Sequence, residues 1–133
     1  MKWKLWVAVS AIVAMTSVGC GSDQAQDPHQ AHGSNAPQKL TINFATNPSP
    51  VKVGEEAELV ANISQGDAKV EDAKVEFEIW RGEEKHETLK ATGKDGVYSL
   101  KKSFAEAGKY QVTIHTTTKE IHQMPTVSFE VVK

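Results

Sequence analysis

Beyond residue 38 the apolar residues recur with a period of two, and this alternation restricts the fold more than any other feature of the chain. Successive side chains of an extended strand point to opposite faces, so an alternating run has one face to bury and one to leave in water. Leu40, Ile42 and Phe44 form the first such run, Leu59, Ala61 and Ile63 the second, and Val75, Phe77 and Ile79 the third. A weaker run lies between His86 and Ala91. Tyr98 and Leu100, then Phe104, then Tyr110, Val112 and Ile114, and finally Val127, Phe129 and Val131 complete the series. Turn-forming residues separate the runs: Asn47-Pro48-Ser49-Pro50, Gln65-Gly66-Asp67, Arg81-Gly82 and Lys94-Asp95-Gly96. No stretch carries a helical period. About seven short strands spaced in this way predict an all-β fold, an immunoglobulin-like β-sandwich over residues 38–133. Within it Gly108-Lys109-Tyr110 reads as the approach to a tyrosine corner. Val112 stands where such a sandwich often has its second disulfide cysteine, so apolar packing replaces the disulfide.

The segment before the sandwich is a different polymer. From Gly21 to Pro37 it has no aliphatic side chain larger than Ala apart from its prolines, and no aromatic, so it buries too little surface to offset the entropy of ordering it. Residues 20–37 are therefore expected to be a tether. His29 and His32 lie in it, and a histidine pair in such a linker is more often solvated than metal-bound.

The start of the chain supplies an address. Lys2 and Lys4 precede a nearly continuous apolar stretch from Leu5 to Val18, the layout of a secretory signal over residues 1–19. That stretch is short of the roughly 20 residues a helix needs to cross a hydrocarbon core. Ser17-Val18-Gly19-Cys20 resembles the lipobox of bacterial lipoproteins, although Ser17 replaces the larger aliphatic residue usual there. The resemblance implies that Cys20 carries the acyl chains, palmitate among them, and becomes the new N-terminus. Cys20 is the sole cysteine, so no internal disulfide forms, and acylation gives a purpose to an otherwise odd thiol outside the cell. Losing residues 1–19 removes Lys2 and Lys4 and no acids, which moves the net charge from −2 to −4. Neither sign is concentrated enough to suggest a nucleic-acid surface. The mature chain keeps Met124 as its one methionine and Trp80 as its one tryptophan.

No enzyme constellation is visible: there is no phosphate-cradling glycine loop with its lysine and no closely spaced Cys/His zinc set. Glu58, Glu76 and Glu78 alternate with core residues and read most simply as a solvated sheet face rather than paired catalytic carboxylates. The unusual segment runs from Tyr110 to Pro125. If Tyr110, Val112 and Ile114 face the core, His115 faces outward, and if Val127, Phe129 and Val131 face the core, His122 and Met124 share the outward parity. A hairpin turning near Lys119 sets His115 across from the region of His122 to Met124. Thr116 to Glu120 lacks Gly, Asn and Pro, which favours a wider turn, and Pro125 is a point where the chain can divert.

Val75 to Trp80 (VEFEIW), Asp95-Gly96-Val97-Tyr98, Ala107-Gly108-Lys109-Tyr110 and the closing His115 with Ile121-His122-Gln123-Met124-Pro125 resemble the YtkA-like domains, which are grouped with FixH-like proteins. The resemblance implies an anchored, extracytoplasmic, immunoglobulin-like module. Through the FixH relatives it also implies a connection to copper supply for membrane oxidases. Two readings follow. In the first, the protein is a non-enzymatic, lipid-anchored copper-binding protein with His115, His122 and Met124 as ligands, since thioether and imidazole suit Cu(I) better than hard cations. It would serve a copper-dependent membrane oxidase or an envelope complex. In the second it is a protein-interaction module that docks such a complex through the same hairpin without metal. Both readings place a monomer on the outer side of the cell membrane, and neither assigns a role to His86.

Overall fold

The structure is a computed structural model that describes residues 38–133. The expected signal segment 1–19, the acylation site Cys20, and the tether 20–37 with His29 and His32 lie outside the described residues. No helix among the described residues is long and apolar enough to cross a membrane.

The described chain is all-β. Seven strands of seven to ten residues are β1 (Leu40–Asn47), β3 (Glu56–Gln65), β5 (Lys74–Arg81), β6 (Glu87–Lys94), β7 (Val97–Ser103), β8 (Gly108–Thr117) and β10 (Thr126–Val132). Three two-residue strands, β2 (Val51–Lys52), β4 (Ala68–Lys69) and β9 (His122–Gln123), are added to them. The first layer is β1-β3-β7, antiparallel throughout, with β4 capping the end of β3. The second is β5-β8-β10, also antiparallel, extended by β9 along β8 and by a short parallel β2 along β10. Strand β6 joins the layers: its Glu87 to Ala91 half pairs with β5 and its Thr92 to Lys94 half with β7. The result is a β-sandwich.

The alternation in the sequence is what packs it. Leu40, Leu59, Ala61, Ile63, Val75, Phe77, Ile79, Tyr98, Phe104, Tyr110, Val112, Ile114 and Val131 are all buried in one core. Burying an apolar side chain of this size is worth about 1.5–3 kcal/mol, so these inward positions hold the register. Aromatic rings tie the layers together: Phe44 of β1 meets Phe77 edge-on at 5.9 Å and Phe129 of β10 at 5.8 Å. The Tyr110 hydroxyl donates to the Glu106 carbonyl at 2.9 Å, four residues upstream, which is the tyrosine corner expected from Gly108-Lys109-Tyr110. The Asp95-Gly96 pair closes β6 onto β7 with φ of 55° and 78°, the left-handed values a two-residue hairpin turn of this twist requires.

The hairpin between β8 and β9 turns over Thr118 to Ile121, although those residues include no Gly, Asn or Pro. The Thr118 hydroxyl takes over, accepting from the backbone N–H of Ile121 at 3.0 Å and of Glu120 at 3.3 Å. The Thr118 N–H also donates to the Ile121 carbonyl at 2.8 Å, so the turn is tight rather than wide. Pro125 breaks the strand without diverting it. It has no N–H to give, yet its carbonyl accepts from Ile114 at 2.9 Å, and the pairing Thr116 with Gln123 continues in register to Thr113 with Thr126.

Candidate metal centre

The outer face of the second layer gathers the chemistry-bearing side chains. Inward parity of Val75, Phe77 and Ile79 sends Glu76, Glu78 and Trp80 outward from β5, and inward parity of Val112 and Ile114 sends Thr113, His115 and Thr117 outward from β8. His122 stands directly opposite Thr117. The unbroken register places Met124 in line with His115. Residues opposite one another in an antiparallel pair project to the same face, so His115, His122 and Met124 share it.

The rings of His115 and His122 have centroids 6.4 Å apart, tilted by 33°. The His122 Nδ1 lies 2.8 Å from the Thr117 hydroxyl, a contact that fixes the ring across its strand pair. Met124 is 56% exposed, among the most open of the large apolar residues on the described surface. Among the described residues no three His, Cys, Asp or Glu side chains are arranged to hold a metal ion. Met124 brings a thioether to the same face, a donor type outside that set.

Glu78 stands where the alternation placed it but with partners the alternation did not reveal. It lies on the outer sheet face, but it is not simply solvated: one carboxylate oxygen sits 2.6 Å from His86 Nδ1 and the other 2.6 Å from His115 Nε2. Those hydrogen bonds, from His86 first and His115 second, hold its carboxyl below the usual carboxylate range, and they outweigh the partial loss of water that acts in the opposite sense. His86 reaches the carboxylate from the loop between β5 and β6 and stacks flat on Trp80, with centroids 4.3 Å apart and planes 9° apart. Glu78, His86 and Trp80 were not among the ligand candidates read from the sequence. Outward parity put Glu78 and Trp80 on this face, but only the β5–β8 register and the loop reveal that two imidazoles converge on one carboxylate.

Gln123, the residue between His122 and Met124, is structural. Its side-chain oxygen accepts from the Leu40 N–H at 3.1 Å and its side-chain nitrogen donates to the Leu40 carbonyl at 2.8 Å, clamping the hairpin to the start of β1. This two-point bond pins the segment that presents His122 and Met124.

Among solved structures the chain is similar to the soluble domain of PmoD from Methylocystis sp. ATCC 49242 (Rockwell). The two share 15% identity with a TM-score of 0.50, over 74% of this chain and 99% of that one. At that identity the likeness concerns the fold alone. No curated protein matches the sequence. Residues 34–115 match the YtkA-like family, a span that includes Glu78, His86 and His115 and ends before His122 and Met124. More than half of the sequence lies inside that match, and the chain belongs to the YtkA-like family.

Proposed function

We propose that this protein is a non-enzymatic copper-binding module that works outside the cytoplasm and is held on the membrane by an acylated Cys20. The observation that carries the copper reading is the pairing of His115 with His122 at 6.4 Å between ring centroids. An imidazole nitrogen binds a metal ion at about 2 Å, so two rings on one ion have centroids roughly 5 to 6 Å apart, and a small closing movement brings these rings into that range. Met124, in line with His115 and exposed, adds a soft sulfur donor, and a set of two imidazoles and one thioether favours Cu(I) over hard cations. The ion is cargo, taken up on an open sheet face and passed to an envelope or membrane complex such as a copper-dependent oxidase.

Titration of the purified protein with Cu(I) against a competing chelator, under reducing anaerobic conditions, is expected to show one site. Met124→Leu keeps the apolar volume and removes the sulfur, so it weakens Cu(I) binding by more than about tenfold, or about 1.4 kcal/mol, while circular dichroism stays unchanged. His115→Ala and His122→Ala weaken it as well, and acid does so by protonating the imidazoles. Wild-type protein that binds Cu(I) no better than the variant combining Met124→Leu, His115→Ala and His122→Ala overturns this reading. The exposure of Met124 favours a second one, in which the same hairpin docks a protein partner; Met124→Leu would then leave docking intact. Anchoring is read by mass spectrometry of protein taken from its native membrane, where the mature N-terminus is expected to be an acylated Cys20. A free thiol at that position refutes it.

A further inference from the structure

We propose that Glu78 is a positioning residue that selects which nitrogen of His115 faces the metal, with His86 and Trp80 as its brace. The consequence for metal rests on the copper reading above, whereas the arrangement itself belongs to the metal-free protein. An ionised carboxylate only accepts hydrogen bonds. The ring nitrogens 2.6 Å from its two oxygens are therefore N–H donors. His115 is the Nε2–H tautomer with its lone pair on Nδ1, and His86 is the Nδ1–H tautomer with its lone pair on Nε2. Imidazoles that bind metals regularly give their second N–H to a carboxylate, which fixes the ring and raises its basicity.

The brace explains why Glu78 rather than another acid takes this part. Glu76 is the direct strand partner of His115, yet its carboxylate lies 3.2 Å from the Lys74 ammonium. Glu78 is the diagonal neighbour, reached across the strand pair, and its other oxygen is held by a ring that is itself stacked on Trp80. The order of contacts is Trp80, His86, Glu78, His115, running across the sheet from the β5–β6 loop to β8. The negative charge at its centre lies next to the site proposed for a cation. Free histidine prefers the Nε2–H form, so His86 held as Nδ1–H is a signature that only a partner such as Glu78 explains.

Long-range proton–nitrogen correlation spectra of metal-free, nitrogen-15-labelled protein, taken where the imidazoles are neutral, read both tautomers directly. His115 is expected as Nε2–H and His86 as Nδ1–H. In Glu78→Gln and Glu78→Ala His86 reverts to Nε2–H, and Cu(I) affinity falls by about ten- to a hundredfold with the circular dichroism unchanged. Glu58→Gln, on the other layer, alters neither reading. A wild-type His86 that is Nε2–H overturns the inference and leaves the copper reading standing. The stated tautomers together with unchanged Cu(I) affinity in Glu78→Gln overturn the positioning role. The stated tautomers in a wild-type protein that binds no Cu(I) overturn the copper reading, and the metal role of Glu78 with it.

Discussion

Tyr110 combines two contacts in one side chain. Its ring stacks on Phe129 at 5.7 Å and meets Phe104 at 4.8 Å, while its hydroxyl holds the Glu106 carbonyl. Burial pushes the hydroxyl above its usual 10.0, against the opposing pull of the Arg81 charge nearby. The stability this group contributes is therefore complete below about pH 10 and is lost as the pH rises through its higher folded value. Tyr110→Phe keeps the ring and removes the bond, at an expected cost of about 1 kcal/mol in urea unfolding near neutral pH. It should also flatten the alkaline loss of stability. A variant as stable as wild type, with the same alkaline profile, would show that the corner carries no weight. This corner was legible in Gly108-Lys109-Tyr110 because its geometry is local. The Glu78 cluster was not, because a period of two tells which face a residue joins and not which side chains arrive from the next strand. Thr116 escaped for a related reason: its inward parity buries a hydroxyl oxygen that finds no hydrogen-bond partner among the described residues.

At the scale of the strands, the seven apolar runs were readable because burial enforces their alternation. The three two-residue strands were not, since pairing that short has no period of its own. The crossing of β6 from one layer to the other also left little trace in the sequence. Gly93 lies just past the crossing, where β6 pairs with β7: a Cβ there would stand 1.7 Å from the Val97 carbonyl oxygen, so the backbones approach more closely than any side chain allows. The β8–β9 hairpin shows where turn rules based on residue type fall short. A wide turn was expected from the lack of Gly, Asn and Pro, and the Thr118 hydroxyl made a tight one by accepting two backbone N–H groups. That substitution of side chain for backbone keeps the register intact through Pro125 and puts Met124 in line with His115 rather than one position away, on the opposite face.

At the scale of the whole described domain, the sandwich joins its first strand to its β8–β9 hairpin through one bond pair. Leu40 opens the first strand, and Gln123, 83 residues later, grips its backbone from the segment that carries His122 and Met124. The backbone amide of Leu40 is thereby a clock for that segment. It exchanges its proton with solvent only when the Gln123 clamp lets go, a local opening that need not unfold the core. Whatever steadies His122 and Met124 closes that opening and slows the exchange at Leu40, whereas the amides of the buried β5 strand answer only to larger openings. Gln123→Leu should speed exchange at Leu40 and erase its response to Cu(I), read residue by residue in deuterium-exchange spectra. Equal rates in wild type and variant would mean the clamp is idle. If it is not, the first residue of the first strand reports whether the last hairpin is loaded, with no probe attached to either.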